Sequence, residues 1–280
     1  MTTRFAPSPT GRLHLGHAYA ALVAHDLARR EEGRFLLRFE DIDHTRVRPE
    51  YYEGIEEDLR WLGIAWDDDP IRQSDRLGTY QGALGQLRER GVLYPCFCTR
   101  RDINEEISRI ANAPHGPEGP LYPGTCRALG KSERADRIAA GESHAWRLDP
   151  ARAAECTGAL SFEDDRLGSH RVDPALLGDV ILARKDIATS YHLAVVVDDS
   201  AQGITHVTRG EDLLAATHVQ RLLQGLLDFP APRYLHHELI RDDAGQRLAT
   251  RHDALALALL RESGLSPEEI RARLPLPLET

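Results

Sequence analysis

Three features of the sequence predict an α/β fold built on a parallel sheet. Residues 2–39 read as strand, Pro- and Gly-bearing turn, helix and strand, the pattern of a βαβ unit. The same alternation returns late in the chain, in "GDVILAR", "YHLAVVVDD" and "GITHVTRGEDLLAATHVQRLLQGLL". Between these halves, Gly and Pro crowd a stretch that loses strong periodicity, which reads as an insertion with its own scaffold.

The elements follow in order. Thr2 to Pro7 reads as a short strand, and Leu15 to Arg30 as a helix because Leu15, Ala18, Leu22 and Leu27 recur near one face. Gly33 breaks the chain before a strand that runs through Phe39. "PEYYEGIEEDLRWLGI" is amphipathic, with Tyr52, Ile55, Leu59 and Leu62 on its apolar side. A further helix is expected over Tyr80 to Arg90, followed by "GVLYPCFCTRRD" and the turn-rich "NAPHGPEGPLYPGTC". "YHLAVVVDD" fits a short helix or a strand. The tail, "HDALALALLRESGLSPEEIRARL", reads as two helices, the second capped by Ser266 with Glu269 completing a capping box.

Composition sets bounds on function. With 280 residues, 41% hydrophobic and 28% charged, the chain is ordinary globular material. No apolar run approaches the roughly 20 residues needed to span a bilayer, and no secretory signal opens the sequence, so a cytoplasmic protein without membrane contact is expected. A net charge of −9 gives no overall basic field, so any nucleic-acid partner has to be argued from a site. In a reducing compartment, Cys96, Cys98, Cys126 and Cys156 are ligands or buried thiols rather than a disulfide framework.

The first turn carries chemistry. Parallel sheets bind ligands at the carboxyl ends of their strands, where helix N-termini offer N–H groups and partial positive charge to phosphate. Pro7, Pro9 and Gly11 fix a turn there, His14 and His17 stand one helical turn apart, and Gly16 leaves room for a flat base. Exposed helix histidines, or a weak metal site with His25 and Asp26, are the plainer alternatives. Glu40, Asp41 and Asp43 end the second strand, where such folds place a ribose-binding acid.

"HLGH" with the preceding "RFAPSPTG" resembles the HIGH region of class I aminoacyl-tRNA synthetases, in its glutamyl branch. The likeness continues through "LLRFEDID", "VLYPCFCT", "HLAVVVDD", "GITHVTRGEDLL" and "YLHHELIRDDAGQRLATR", in order. It implies a class I, Rossmann-type parallel sheet with a zinc-binding insertion and a short helical C-terminal part. The corresponding divisions are 1–92 and 176–240 for the halves of the catalytic domain, 93–175 for the insertion, and 241–280 for a KMSKS-like loop and terminal helices.

The resemblance assigns roles. Arg4, Phe5, Ala6, Pro7, Ser8, Glu40, Tyr191 and Arg209 would hold L-glutamate, with Glu40 on the ammonium. Two carboxylates and one ammonium call for cationic donors and one acid. His14, Gly16 and His17 would bind ATP with its Mg²⁺, the histidines acting in catalysis. Where the family's second motif, KMSKS, supplies lysines, this chain has "RLATR": Arg247 keeps a cation at the first position, Thr250 replaces the second lysine, and Arg251 is a possible substitute.

Cys96-x-Cys98 with Cys126 favours Zn²⁺, and a structural site wants four ligands. Ligand chemistry alone points to Cys156 or His115 as the fourth; the resemblance implies Tyr122. The chain ends at Thr280 with no anticodon-binding domain expected. That matches a compact paralogue in the same branch, which activates glutamate without tRNA and loads it onto the queuosine base in the anticodon loop of tRNA(Asp). No protein partner is implied. A catalytically weak nucleotide- or amino-acid-binding regulator, suggested by Thr250, and a tRNA(Glu)-charging catalytic fragment are the other readings.

Overall fold

The computed structural model describes residues 1–109, 115–117, 119–240 and 256–276. β1 (Thr2–Phe5), α1 (Leu15–Arg30) and β2 (Arg34–Phe39) form the expected βαβ unit, with β1 and β2 parallel and Arg4 opposite Leu36. β1 stops before Pro7, which has no N–H to give a ladder. Gly33 is required at the return because a Cβ there would stand 2.5 Å from the Met1 carbonyl oxygen.

α2 (Pro49–Trp61) carries Pro at its first turn, and β3 (Ile71–Arg72) then adds parallel to β2. α3 (Leu77–Glu89) enters through a 3₁₀ turn at Gln73–Arg76. It starts earlier than Tyr80 because Leu77 is exposed, whereas the buried stripe that periodicity detects begins at Tyr80.

The middle of the chain is more regular than its composition suggested. It holds β4 (Leu93–Cys96), α4 (Arg100–Arg109), β5 (His115–Gly116), β6 (Gly119–Pro120), α5 (Lys131–Ala139), β7 (Ala145–Leu148), α6 (Pro150–Thr157), β8 (Ser161–Asp164) and β9 (Gly168–Arg171). α5 buries none of its residues, so it leaves no apolar stripe to read.

β10 (Ile181–Ala183), α7 (Tyr191–Ala201), β11 (His206–Gly210), α8 (Leu214–Leu226), β12 (Arg233–His237), α9 (Leu257–Glu262) and α10 (Pro267–Ala272) complete the chain. "YHLAVVVDD" is helical although its valines favour strand. α7 packs against both α3 and α8, and burial on several sides overrides propensity. The tail forms two helices as read, with Ser266 accepting from the Glu269 amide at 3.2 Å and Glu269 accepting from the Ser266 amide at 2.7 Å.

The sheets run in the orders β1-β2-β3, β11-β12-β8-β9 and β10-β7-β4, besides the small β5-β6 pair. β1–β2, β2–β3, β11–β12 and β12–β8 are parallel. β1 and β11 meet edge to edge, where the Thr205 amide donates to the Thr2 carbonyl at 3.0 Å. β10-β7-β4 is antiparallel. Strand pairing therefore crosses the division at residue 175 both ways: β8 joins β12, and β10 joins β7. Local pattern identifies a strand without naming its partner.

One core gathers Leu22, Phe35 and Leu59 with Leu257 and Ile270 from the tail; another gathers Tyr80, Leu193, Val196 and Leu222. Among the described residues, no helix is long and apolar enough to cross a membrane.

Fully buried Asp198 ties α7 to the start of α3. It accepts from Tyr80 Oη at 2.7 Å, Arg76 Nε at 2.7 Å and Gln73 Nε2 at 3.0 Å. Asp198→Ala leaves these donors unpaired, so urea unfolding is expected to lose about 3–5 kcal/mol of stability. A loss under about 1 kcal/mol would contradict this account.

Candidate active site

β1, β2 and β11 end at one cleft of about 510 Å³, which the N-terminus of α1 also lines. Arg4, Phe5, Ala6, Pro7 and Ser8 line it from β1 and the turn, Glu40 from the end of β2, Tyr191 from the start of α7, and Arg209 from β11. His14, Gly16 and His17 line it from the helix entry. The turn is fixed by backbone bonds, Glu40 N to Pro7 O at 3.0 Å and Arg48 N to Pro9 O at 3.2 Å.

The two histidines cap α1, a role usually filled by Ser, Thr, Asp or Asn. His14 Nδ1 accepts from the Gly16 amide at 3.1 Å, and His17 Nδ1 accepts from the His14 amide at 3.3 Å. Their rings stack with centroids 3.8 Å apart. An amide can only donate, so each neutral ring carries its proton on Nε2. Both side chains thereby combine helix capping with a ring N–H donor beside the helix N-terminus, whose partial charge favours phosphate.

Sequence reasoning missed what holds the arginines. Asp199, near the end of α7, accepts from Arg4 Nε at 3.0 Å and from Arg38 Nη1 at 2.8 Å. Arg38 is fully buried in β2 and also reaches Gln202 Oε1 at 3.0 Å and Glu40 Oε1 at 3.4 Å. Burial pushes the Asp199 carboxyl up, but Arg4 and Arg38 reverse this and hold it below its ordinary range. Glu40 is shifted the other way: burial raises it more than Arg38 and Arg4 lower it. The available signals were an Arg inside the apolar strand "LLRF" and an acid pair ending the apolar run "AVVVDD".

Arg209 differs from Arg4. It is buried, donating to Gln220 Oε1 at 2.7 Å and Thr217 Oγ1 at 2.8 Å, while its Nε has no hydrogen-bond partner. Among the described residues it forms no ion pair; Gln220, Thr217 and the face of the Tyr234 ring, 5.2 Å from its guanidinium carbon, meet its charge beside the cleft. Its field reaches the neighbouring histidines. Burial first, then Arg209, lowers His192 to about 4; the same causes lower His236 to about 4 against the pull of Asp164.

The thiols of Cys96, Cys98 and Cys126 lie within 4.8 Å of one another, with the Tyr122 hydroxyl 3.5 Å from both Cys96 Sγ and Cys98 Sγ. Cys98 Sγ and Cys126 Sγ are 3.4 Å apart. In a tetrahedral site with Zn–S of about 2.3 Å and Zn–O of about 2.0 Å, ligand atoms stand roughly 3.5–3.8 Å apart, so this donor set fits zinc. Burial raises the Cys98 thiol to about 11. Cys156 is exposed on α6 and outside the cluster, which removes it as fourth ligand.

Arg247, Thr250 and Arg251 lie outside the described residues. The flanks of their segment are anchored at the cleft: Ile240 lines it, and Ala256 forms an antiparallel bridge with His14.

Residues 1–276 match the family model for the catalytic domain of class I tRNA synthetases (E and Q). The chain belongs to this family. As a class I synthetase it is a ligase that uses ATP. It is 52% identical to a glutamyl-Q tRNA(Asp) synthetase of Rhodobacter capsulatus over 97% of this chain and 98% of that protein. It is 45% identical to one from Symbiobacterium thermophilum, covering 95% and 83%. A solved glutamate–tRNA ligase from Elizabethkingia meningosepticum, in complex with its amino acid, superposes with a TM-score of 0.77 at 29% identity, covering 90% of this synthetase and 52% of that chain. The synthetase thus spans about half the length of that solved ligase.

The two depressed histidines make stability depend on pH. Each has a folded pKa of about 4 against 6.5 unfolded, so its contribution is complete above about pH 6.5 and is lost as pH falls toward 4. Unfolding free energy measured by urea titration should fall with pH through that window. His192→Asn should flatten the slope by up to one proton, about 1.4 kcal/mol per pH unit. Identical slopes would count against a neutral buried His192.

Proposed function

We propose that this synthetase activates L-glutamate with ATP·Mg²⁺ and transfers the glutamyl group to the queuosine base in the anticodon loop of tRNA(Asp). Arg209 carries the reading: a buried guanidinium with no carboxylate among the described residues shares a cleft with Arg4 and an acid, Glu40. An amino acid with two carboxylates and one ammonium complements that set. The names of the similar relatives support the modified base of tRNA(Asp) as acceptor.

In the first step an α-carboxylate oxygen of glutamate attacks the α-phosphorus of ATP, and the bond to pyrophosphate breaks. In the second, a hydroxyl of the queuosine cyclopentenediol attacks the activated carbonyl and AMP leaves. Neither step needs a protein nucleophile. Catalysis then rests on positioning and charge stabilisation, which suits Nε2–H donors from His14 and His17 at a helix N-terminus. Glu40 would hold the ammonium, with Tyr191 and residues 5–8 shaping the pocket. Arg247, Thr250 and Arg251 are proposed for the departing pyrophosphate from sequence alone.

The test is ATP–pyrophosphate exchange without tRNA, followed by transfer of labelled glutamate. Glutamate should support exchange, and glutamine should be slower by on the order of 10²-fold or more, because its amide leaves a buried cation unpaired. Queuosine-containing tRNA(Asp) should accept the label and tRNA(Glu) should not. Equal exchange with both amino acids would sink the pocket assignment, and charging of tRNA(Glu) alone would sink the acceptor.

We further propose a structural Zn²⁺ held by Cys96, Cys98, Cys126 and Tyr122, clasping the end of β4 to the loop before α5. Elemental analysis of chelator-free protein should find one zinc per chain, lost in Cys126→Ser and kept in Cys156→Ser. Zinc-free parent protein would exclude the site.

A further inference from the structure

Among the described residues, Arg209 reaches a carboxylate through hydrogen bonds only at third hand. Its Nη2 donates to Thr217 Oγ1 at 2.8 Å; Thr217 Oγ1 lies 2.9 Å from His236 Nε2; and His236 Nδ1 lies 2.6 Å from Asp164 Oδ2. All four residues are buried, with Thr217 and His236 wholly so. They come from four elements, β11, α8, β12 and β8. Asp164 is fixed in turn, accepting at Oδ2 from the His236 amide at 3.0 Å and at Oδ1 from the Leu167 and Arg166 amides at 2.7 and 3.0 Å.

The polarity of the chain follows from its two ends. Asp164 is an acceptor, so His236 carries its proton on Nδ1 and presents Nε2 as an acceptor. A guanidinium only donates, so Thr217 takes the Arg209 hydrogen. Its own hydroxyl hydrogen has two acceptors in reach, His236 Nε2 at 2.9 Å and the Leu213 carbonyl at 3.2 Å, and the shorter contact, to a lone pair with no other donor among the described residues, favours His236. The chain is polarised one way, from cation to carboxylate, and bonds in such a chain reinforce one another. A direct salt bridge would instead occupy the donors that a ligand carboxylate needs.

We infer that Thr217, His236 and Asp164 form a positioning relay that sets the orientation of Arg209 for a substrate carboxylate and thereby contributes to selection of glutamate. The relay touches neither ATP nor the reacting atoms; it acts through Arg209. The inference rests on the proposed glutamate pocket, so the parent protein's exchange with glutamate is measured first. If the parent shows none, the pocket reading fails before the relay is tested.

Given parent activity, Thr217→Val keeps the side-chain shape and removes the hydroxyl, while Thr217→Ser keeps the hydroxyl. ATP–pyrophosphate exchange is measured for both at varied glutamate, glutamine and ATP. Thr217→Val is expected to raise KM for glutamate about tenfold and narrow the glutamate preference over glutamine, with KM for ATP and kcat within twofold of the parent. Thr217→Ser should restore KM for glutamate. Asp164→Asn, which keeps the size but not the charge, should shift the same parameter in the same direction. An unchanged glutamate KM in Thr217→Val, or equal rises for glutamate and ATP that Thr217→Ser does not correct, would overturn the relay. If Thr217→Val proves too unstable to assay, Asp164→Asn and Thr217→Ser decide by the same split.

Discussion

The architecture of the site depends on one carboxylate. Asp199 stands at 3.0 Å from Arg4 and 2.8 Å from Arg38, joining α7 to β1 and β2 through two buried cations. Neither guanidinium could be buried alone without a large desolvation cost, which the shared acid and, for Arg38, Glu40 offset. Because β1 and β2 deliver the first turn and Glu40 to the cleft, the ion cluster that closes the sheet interior also sets the walls of the pocket. Stability and site geometry are the same interaction seen from two sides.

That cluster sharpens the contrast between Arg4 and Arg209. Arg4 enters the cleft paired with Asp199, an acid that it shares with Arg38. Arg209 has amide and hydroxyl acceptors instead of an acid, and after burial it is the next cause that lowers His192 and His236. A pocket with one arginine paired to a carboxylate and one held by neutral acceptors places its stronger attraction for an anion at the second. Glu40 supplies the opposite sign at the end of β2. In the proposed glutamate pocket, lining groups of both signs would distinguish an amino dicarboxylate from a simple acid.

Much of the fold was legible because its signals were local. The βαβ unit, the capping box at Ser266 and Glu269, and the turn at Pro7 to Gly11 each follow from a few adjacent residues. What escaped was written in long-range partners. Asp199 meets Arg4 from 195 residues away, and Asp164 meets His236 from 72 away, so no window of sequence contains either pair. α5 escaped for the opposite reason, since a helix that buries nothing has no periodic stripe. The helical α7 reversed its valines' preference through packing on several sides.

The opening histidines show how one residue type can serve two levels of structure. A serine or asparagine at residue 14 would satisfy the orphan amides of α1 equally well. Its polar atoms would then be turned into the helix, leaving little to present outward. Imidazole separates its two nitrogens across a ring, so Nδ1 is used by the backbone while Nε2 carries the proton. The cap also fixes the tautomer, since an amide at Nδ1 excludes the other one. A donor whose proton position and ring plane are both set by the start of a helix would, in the proposed activation step, be preorganised for charge developing on phosphate, where preorganisation rather than acidity is what counts.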